Sequence, residues 1–262
     1  MKGKILFLGT GASTGIPVIG CNCKVCRSKN KKNKRLRPSC LIKIKNKNLL
    51  IDVTPDFRSQ ALKYNIDHID GVIITHMHYD HIGGIDDLRV FSLKDNKKIL
   101  TLLEKATFEE LKKRFDYLFK KKEKKTTLSA EFIFKKIEKE REKNIFSGIE
   151  IESILYFQKK TRVLGYKIGD LAYISDIKEY KKNIFHFLKD VNILILSALR
   201  EDYSPVHFNL KEAITFAKKT KAKKIYFTHI AHEIDHNKIS KKLPHNIFLA
   251  YDGQILEFNY EK

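Results

Sequence analysis

The 262-residue sequence holds no apolar run approaching the ~20 residues a helix needs to cross a bilayer, so a helical membrane span is excluded. Its first stretch, MKGKILFLGTGAST, has a short apolar run that stops at Gly9. A secretory leader would carry a longer run and a small-residue cleavage site, and a cytoplasmic protein is expected. Cysteine is scarce. All four lie before residue 41, and three are packed as Cys21-x-Cys23-x2-Cys26. In a reducing compartment that spacing suits one metal ion better than disulfides, because neighbouring thiolates on a tight turn converge on a point. Histidine is absent between His81 and His186.

Acidic residues are few: 31 against 52 Lys and Arg, a formal net charge of +21. Lysine supplies most of the excess, in runs at 31–34, 120–125, 135–143 and 218–224. Such stripes can bind polyanions by releasing counterions. Aromatics rarely interleave with Arg here, and no nucleic-acid module is recognisable, so solvated faces are the favoured reading and nucleic acid the less favoured partner.

The chain alternates strand and helix signals. Strands are expected at 5–8, 40–44, 48–53 (with Lys47-Asn48 at the turn) and 71–75. Pro55 opens a short helix to about Lys63, and 83–93 reads as a helix or helical turn. From about 94 to 143 the sequence is rich in lysine, with helical periodicity over 109–125, and is expected to be peripheral within a single domain over 1–262. Strands resume at 149–157, 164–168 and 171–174. Helices at 181–188 and 210–218 then alternate with strands at 191–196 and 224–227. The last strands, 247–250 and 255–258, read as a hairpin turning at Asp252-Gly253. No internal repeat is visible, and an α/β sandwich with a mixed sheet fits.

The chemistry is concentrated in His76-Met77-His78-Tyr79-Asp80-His81, directly after the apolar VIIT. Buried polar groups need partners, and three imidazoles this close have few besides water, each other or a metal. Alternation sends His76 and His78 the same way, and a following turn brings Asp80 and His81 to a second point. Imidazole with carboxylate suits Zn²⁺, Mn²⁺ or Fe²⁺. Asp176 and His229 each end an apolar strand, where side chains line a sheet edge.

HMHYDH resembles the HxHxDH signature of the metallo-β-lactamase superfamily. GTGASTGIPVIGCNCKVC, IDDLR, GYKIGDLAYISD, and HFNLKEA followed by FTHIAH recur in the order of the branch that contains phosphoribosyl 1,2-cyclic phosphate phosphodiesterase. The likeness covers residues 3 to about 92 and about 149 to 236. It implies an αββα sandwich of two mixed sheets flanked by helices, holding two divalent metals (Zn²⁺ or Mn²⁺) and one structural Zn²⁺. His76 and His78 would bind the first metal, Asp80 and His81 the second, with Asp176 bridging and His229 completing the second site. Gln158 stands where the family carries the third histidine of the first site. The gap in histidines offers no substitute, so a weak ligand and a weakened site are expected there. Cys21, Cys23 and Cys26 would close the structural site with His232, leaving Cys40 a small strand hydrophobe.

The resemblance also makes His207 an active-site histidine that is not a ligand, and Asp80 and His207 the catalytic pair. Asp86, Asp87 and Arg89 are candidates to orient the ligand histidines, and the GTGAST loop a candidate to offer N–H groups to phosphate. The reaction implied is hydrolysis of a small anionic phosphodiester, cyclic esters included, through a metal-bound hydroxide. Homodimers are common in the branch. The rivals are an endonuclease of the tRNA 3′-end type, a thioester hydrolase sharing HxHxDH and Gly83-Gly84, and a non-catalytic metal or nucleic-acid binding protein.

Overall fold

The computed structural model describes residues 1–120 and 129–260. Two seven-stranded sheets face each other. The first runs β14-β1-β2-β3-β4-β5-β6, with β1 (Lys2–Gly9), β2 (Ser39–Ile44), β3 (Lys47–Ile51), β4 (Gly71–Ile73), β5 (Ile99–Glu104), β6 (Phe132–Ile137) and β14 (Ile255–Asn259). The second runs β13-β12-β11-β10-β9-β8-β7, with β7 (Arg141–Phe146), β8 (Ile149–Gln158), β9 (Thr161–Ile168), β10 (Leu171–Ile174), β11 (Ile193–Ser197), β12 (Lys224–Thr228) and β13 (Ile247–Leu249). Both sheets are mixed: β3 to β6 and β10 to β13 are parallel, and the other pairs antiparallel.

The parallel strands GVI, LAYI and ILILS are buried on both faces, which is why they read as continuous apolar runs. Between the sheets lies one core, with Ile5, Phe7 and Ile42 from the first and Leu164, Tyr166 and Ile195 from the second. Outside the first sheet, α1 (Phe57–Lys63), α2 (Tyr79–Ile82), α3 (Arg89–Asp95) and α4 (Lys105–Arg114) precede or follow its parallel strands, and Phe57, Ile82, Phe91 and Leu111 join its outer core. Outside the second, α5 (Ile184–Phe187), α6 (Leu210–Lys218) and α7 (His236–Ser240) bury Phe187, Phe216 and Ile239. The arrangement is the αββα sandwich.

Three expectations are corrected. The last two strands are not a hairpin: β13 joins β12 in the second sheet, and β14 joins β1 in the first. Asp252 anchors the passage between the sheets, accepting hydrogen bonds from Thr10 Oγ1 (2.7 Å) and Leu36 N (2.7 Å). Local turn chemistry suggested a hairpin, but the free sheet edges decided the pairing. The lysine-rich stretch is not merely peripheral, because β5 lies inside the first sheet with Leu102 and Leu103 fully buried. Its helix ends at Arg114, and residues 121–125 of the expected helix and lysine run lie outside the described residues. The first hairpin turns at Lys45-Asn46, two residues before the expected pair, with Lys45 in the left-handed region (φ 55°).

No helix among the described residues is long and apolar enough to cross a membrane.

Candidate metal centre

Chain tips at the carboxyl ends of parallel strands build the site, the place where open α/β sheets gather ligands. Asp52 follows β3, His76 follows β4, Asp176 follows β10 and His229 follows β12. Three of the four, Asp52 (φ 61°), Asp176 (φ 55°) and His229 (φ 56°), adopt the left-handed backbone that other residues than glycine seldom take. Each such conformation costs on the order of 1–3 kcal/mol, and such residues cluster at functional sites. The turn after β4 is fixed from outside, because Arg114 Nη1 donates to the Met77 carbonyl (2.9 Å). Gly84 lets this turn close on the end of β3: a Cβ there would lie 2.0 Å from the Thr54 carbonyl oxygen.

His76, His81, Asp176 and His229 are all essentially removed from solvent. His76 Nε2 and His78 Nδ1 face each other at 2.9 Å. His81 Nε2 lies 3.5 Å from Asp80 Oδ2 and 3.4 Å from Asp176 Oδ2; His229 Nε2 lies 3.4 Å from Asp80 Oδ2 and 3.2 Å from Asp176 Oδ1. His81 Nε2 and both ring nitrogens of His229 have no hydrogen-bond partner. Orphaned buried nitrogens aimed at carboxylates are costly unless a cation joins them, so this donor set fits divalent metals. Asp176 is shaped to bridge, with one oxygen toward each ring.

The electrostatics agree. Burial alone would lower His81, but Asp176, Asp80 and Asp52 together hold it well above the ordinary histidine range. Burial resists ionisation of Asp80 and Asp176, yet the neighbouring histidines keep both below the usual carboxylate range. Burial pushes His76 well down, leaving a neutral imidazole ready to ligate. The pocket is thus electronegative at its centre, as a cation site must be.

His207 joins this cluster. Its Nδ1 lies 3.4 Å from Asp176 Oδ1, its ring stacks on His229 with centroids 4.8 Å apart, and burial pushes it down to about 4. Gln158 is also buried, but its amide nitrogen faces His207 Nε2 at 2.8 Å. A cleft of about 620 Å³ opens over these groups, with His78, Asp80, Gln158, Asp176, His207 and His229 in its lining, and with Ser13, Tyr79, Lys159 and Lys160 among the others.

The cysteine cluster is a second candidate centre. His232 Nδ1 lies 3.3 Å from Cys21 Sγ and 3.6 Å from the sulfurs of both Cys23 and Cys26. A tetrahedral Zn²⁺ with ordinary bond lengths sets sulfur–nitrogen separations at ~3.6 Å, so the four residues fit one ion. The Cys26 backbone N–H and the His232 ring bring the Cys23 thiol down to about 6 against its burial, favouring thiolate. Cys40 is remote from this group. It sits buried in β2 among Phe7 and Ile51.

Two sequence expectations about supporting residues are corrected. Asp86 pairs with Arg89 (3.4 Å) at the surface of the 3₁₀ turn, and neither it, Asp87 nor Arg89 contacts a ligand histidine among the described residues. The residue that orients His81 is Asp52, which sequence reasoning missed. Its signal was a carboxylate ending the apolar strand LLI, parallel and adjacent to the strand that ends on His76. The glycine loop is committed to the fold at its centre: Gly11 N donates to Leu36 O and Ala12 N to Ile230 O, which removes two of its expected phosphate donors.

A β-lactamase superfamily domain model matches residues 47–230. An octanoyltransferase of Porphyromonas gingivalis (strain ATCC BAA-308 / W83) is 32% identical over 253 residues, covering 95% of this chain and 50% of that protein. The chain thus spans about half the length, or less, of the curated relatives it matches. The crystal structure of a new diphosphatase from the PhnP family is 35% identical, with a TM-score of 0.92 and coverage of 99% of this chain and 98% of that one. Zn²⁺-bound PqqB from Methylobacterium extorquens shares the fold, at 14% identity and TM-score 0.76 over 97% of this chain and 99% of that one. By the domain match and by the likeness along its whole length, the chain belongs to the metallo-β-lactamase superfamily, on the PhnP-family branch.

Proposed function

We propose that the protein is a metal-dependent hydrolase that cleaves a small anionic phosphodiester, cyclic esters included. One observation carries the reading: Asp176 directs separate oxygens to His81 Nε2 and His229 Nε2, buried nitrogens that Asp80 also faces and that make no hydrogen bond among the described residues, at the base of an open cleft. His76, His78, Asp80, His81, Asp176 and His229 would hold two divalent cations, of which Zn²⁺ and Mn²⁺ suit the donors. Such a pair supplies Lewis acidity and a nucleophilic water near neutral pH.

The chain's own groups do the rest. Asp80 and Asp176 keep the histidine nitrogens aligned and the cluster electronegative. His207 faces the same cleft and would donate a hydrogen bond from its ring N–H to the departing oxygen or hold the phosphate. Lys159 and Lys160, exposed at the cleft, would draw anions toward it. The diphosphatase activity named for the 35%-identical relative is the same displacement at phosphorus, on an anhydride in place of an ester. Octanoyl transfer is named for a protein of twice this length, and among the described residues no cysteine lines the cleft to serve as an acyl-carrying thiol.

The test is hydrolysis of bis(p-nitrophenyl) phosphate by protein stripped of metal and reloaded with Zn²⁺ or Mn²⁺, beside His81→Ala. Metal-dependent turnover lost in the variant is expected. Absence of turnover with either metal, in folded protein, would overturn the phosphodiesterase reading and bring thioester hydrolysis forward. If RNA is cleaved in its place, with affinity falling steeply as salt rises, the basic surface becomes the substrate-binding face.

A further inference from the structure

One large side chain at the cleft has no part in holding cations or moving protons. Tyr79 opens α2 between His78 and Asp80, and all three line the cleft. Asp80 is buried and His78 partly so, whereas Tyr79 is 62% exposed. Of the large apolar side chains exposed among the described residues, Tyr79 alone lines the cleft. No hydrogen bond, ion pair or ring contact engages its side chain among those residues. A single exposed aromatic is ordinary on a protein surface. This one stands between a proposed ligand of the first cation and one of the second.

The ring has a built seat. Gly83 N donates to the Tyr79 carbonyl (2.7 Å), which closes the turn of α2 under it. A Cβ at Gly83 would lie 2.7 Å from Tyr79 Cε2 and 2.8 Å from Pro55 Cγ, so glycine is what leaves room for the ring. One edge of the ring therefore rests on the Gly83 backbone beside Pro55, and the remainder faces water. Tyrosine offers such a surface with only two χ angles to fix, so little entropy is lost when a ligand covers it. The exposed Lys159 and Lys160 and the apolar Val206 line the same cleft. Its volume of about 620 Å³ falls in the range that encloses a whole drug-sized ligand, more than a phosphate with two small alkyl arms fills.

We propose that Tyr79 is a stacking platform for a nucleobase, so that the phosphodiester cleaved here carries a nucleoside on one arm. The proposal rests on the hydrolytic reading above, which sets the phosphorus at the cations beside His78 and Asp80 and carries one ester arm past the ring. Stacking on an aromatic face tolerates any base, because every base has a π-face, and it strengthens binding on the order of 10-fold. It uses the face of the ring and not the hydroxyl. A sugar phosphate without a base leaves the ring wet and gains nothing from it.

The experiment titrates Zn²⁺-loaded wild type, Tyr79→Phe and Tyr79→Leu with AMP and with ribose 5-phosphate, which share the sugar and phosphate and differ in the base. Zinc content per chain is measured alongside. Wild type should bind AMP on the order of 10-fold more tightly than ribose 5-phosphate. Tyr79→Phe should keep that preference. Tyr79→Leu, which keeps apolar bulk without a π-face, should lose most of it, with zinc content equal to wild type. KM for thymidine 5′-(p-nitrophenyl) phosphate should rise severalfold in Tyr79→Leu, with kcat little changed. Equal affinity of wild type for the two ligands would overturn the proposal, as would a preference that survives in Tyr79→Leu or is lost in Tyr79→Phe. Loss of zinc from Tyr79→Leu, or an equal fall for both ligands, would make the ring a support for the metal turn and overturn it too. Wild type that prefers AMP and cleaves no ester would sink the hydrolytic reading, and the two titrations would still decide the role of Tyr79.

Discussion

Asp52 holds His81: Oδ2 of the carboxylate lies 2.7 Å from Nδ1 of the imidazole, and both side chains are fully buried. Thr75 ties the same carboxylate from the neighbouring strand, through its N–H (2.8 Å) and its hydroxyl (2.9 Å). With Nδ1 occupied, Nε2 is the nitrogen left to face Asp80 and Asp176. A carboxylate behind a ligand histidine fixes its tautomer and raises its basicity, and losing one typically costs 10–100-fold in metal affinity. Asp52→Asn should therefore weaken metal binding by about that factor in a chelator competition. An affinity equal to wild type would mean that packing alone orients His81.

The cysteine cluster predicts a separable effect. Cys21→Ser or Cys26→Ser should lose one Zn²⁺ per chain and lower the unfolding temperature, because the four groups tie the loop at residue 21 to the segment after β12. Cys40→Ala should keep the metal content and cost about 1 kcal/mol as a small cavity in β2. Metal analysis with thermal melts distinguishes the two.

Asp252 predicts a pH dependence of stability. Burial raises its carboxyl to about 6 from an unfolded value of 3.8, against the hydrogen bonds from Leu36 and Thr10 and the attraction of Arg35. A carboxyl with a raised folded pKa binds its proton more tightly in the folded state. Its contribution is complete below pH 3.8, declines as pH rises and is gone above about 6. Relative to wild type, Asp252→Asn should gain stability on moving from pH 4 to pH 7, by on the order of 2 kcal/mol. Denaturant melts of the two proteins at both pH values check the difference, and parallel curves would refute it.

Lys159 and Lys160 form an exposed turn at the cleft. Replacing both with alanine should raise KM for an anionic ester severalfold at low ionic strength. The gap should close as salt approaches 1 M, where screening acts over about 3 Å. A gap independent of salt would assign the lysines a contact role and not a steering one.

Local information was legible in the sequence. HMHYDH and Cys21-x-Cys23-x2-Cys26 bring their donors together within a single turn, and α6 was legible over 210–218, its start fixed by a capping box of Asn209 and Glu212 ahead of its apolar face. What depended on distant partners was not. Asp52 acquires its role only when β3 pairs beside β4, and the separation of β13 from β14 depends on which sheet edges remain open. Gln158 was legible as a departure from the family, but its partner His207 is 49 positions away and adjacent only once β8 is folded against the loop before α6.

The donors come from both sides of the sandwich. His76, His78, Asp80 and His81 follow β4 of the first sheet, and Asp176 and His229 follow β10 and β12 of the second. Neither sheet alone carries the set. With the proposed ligation, each cation is a rivet through the seam, and its binding free energy adds to the cohesion of the halves in proportion to RT ln(1 + [L]/Kd). The concentration of free metal in the protein's surroundings would then govern how long the folded chain survives as well as how fast it turns over.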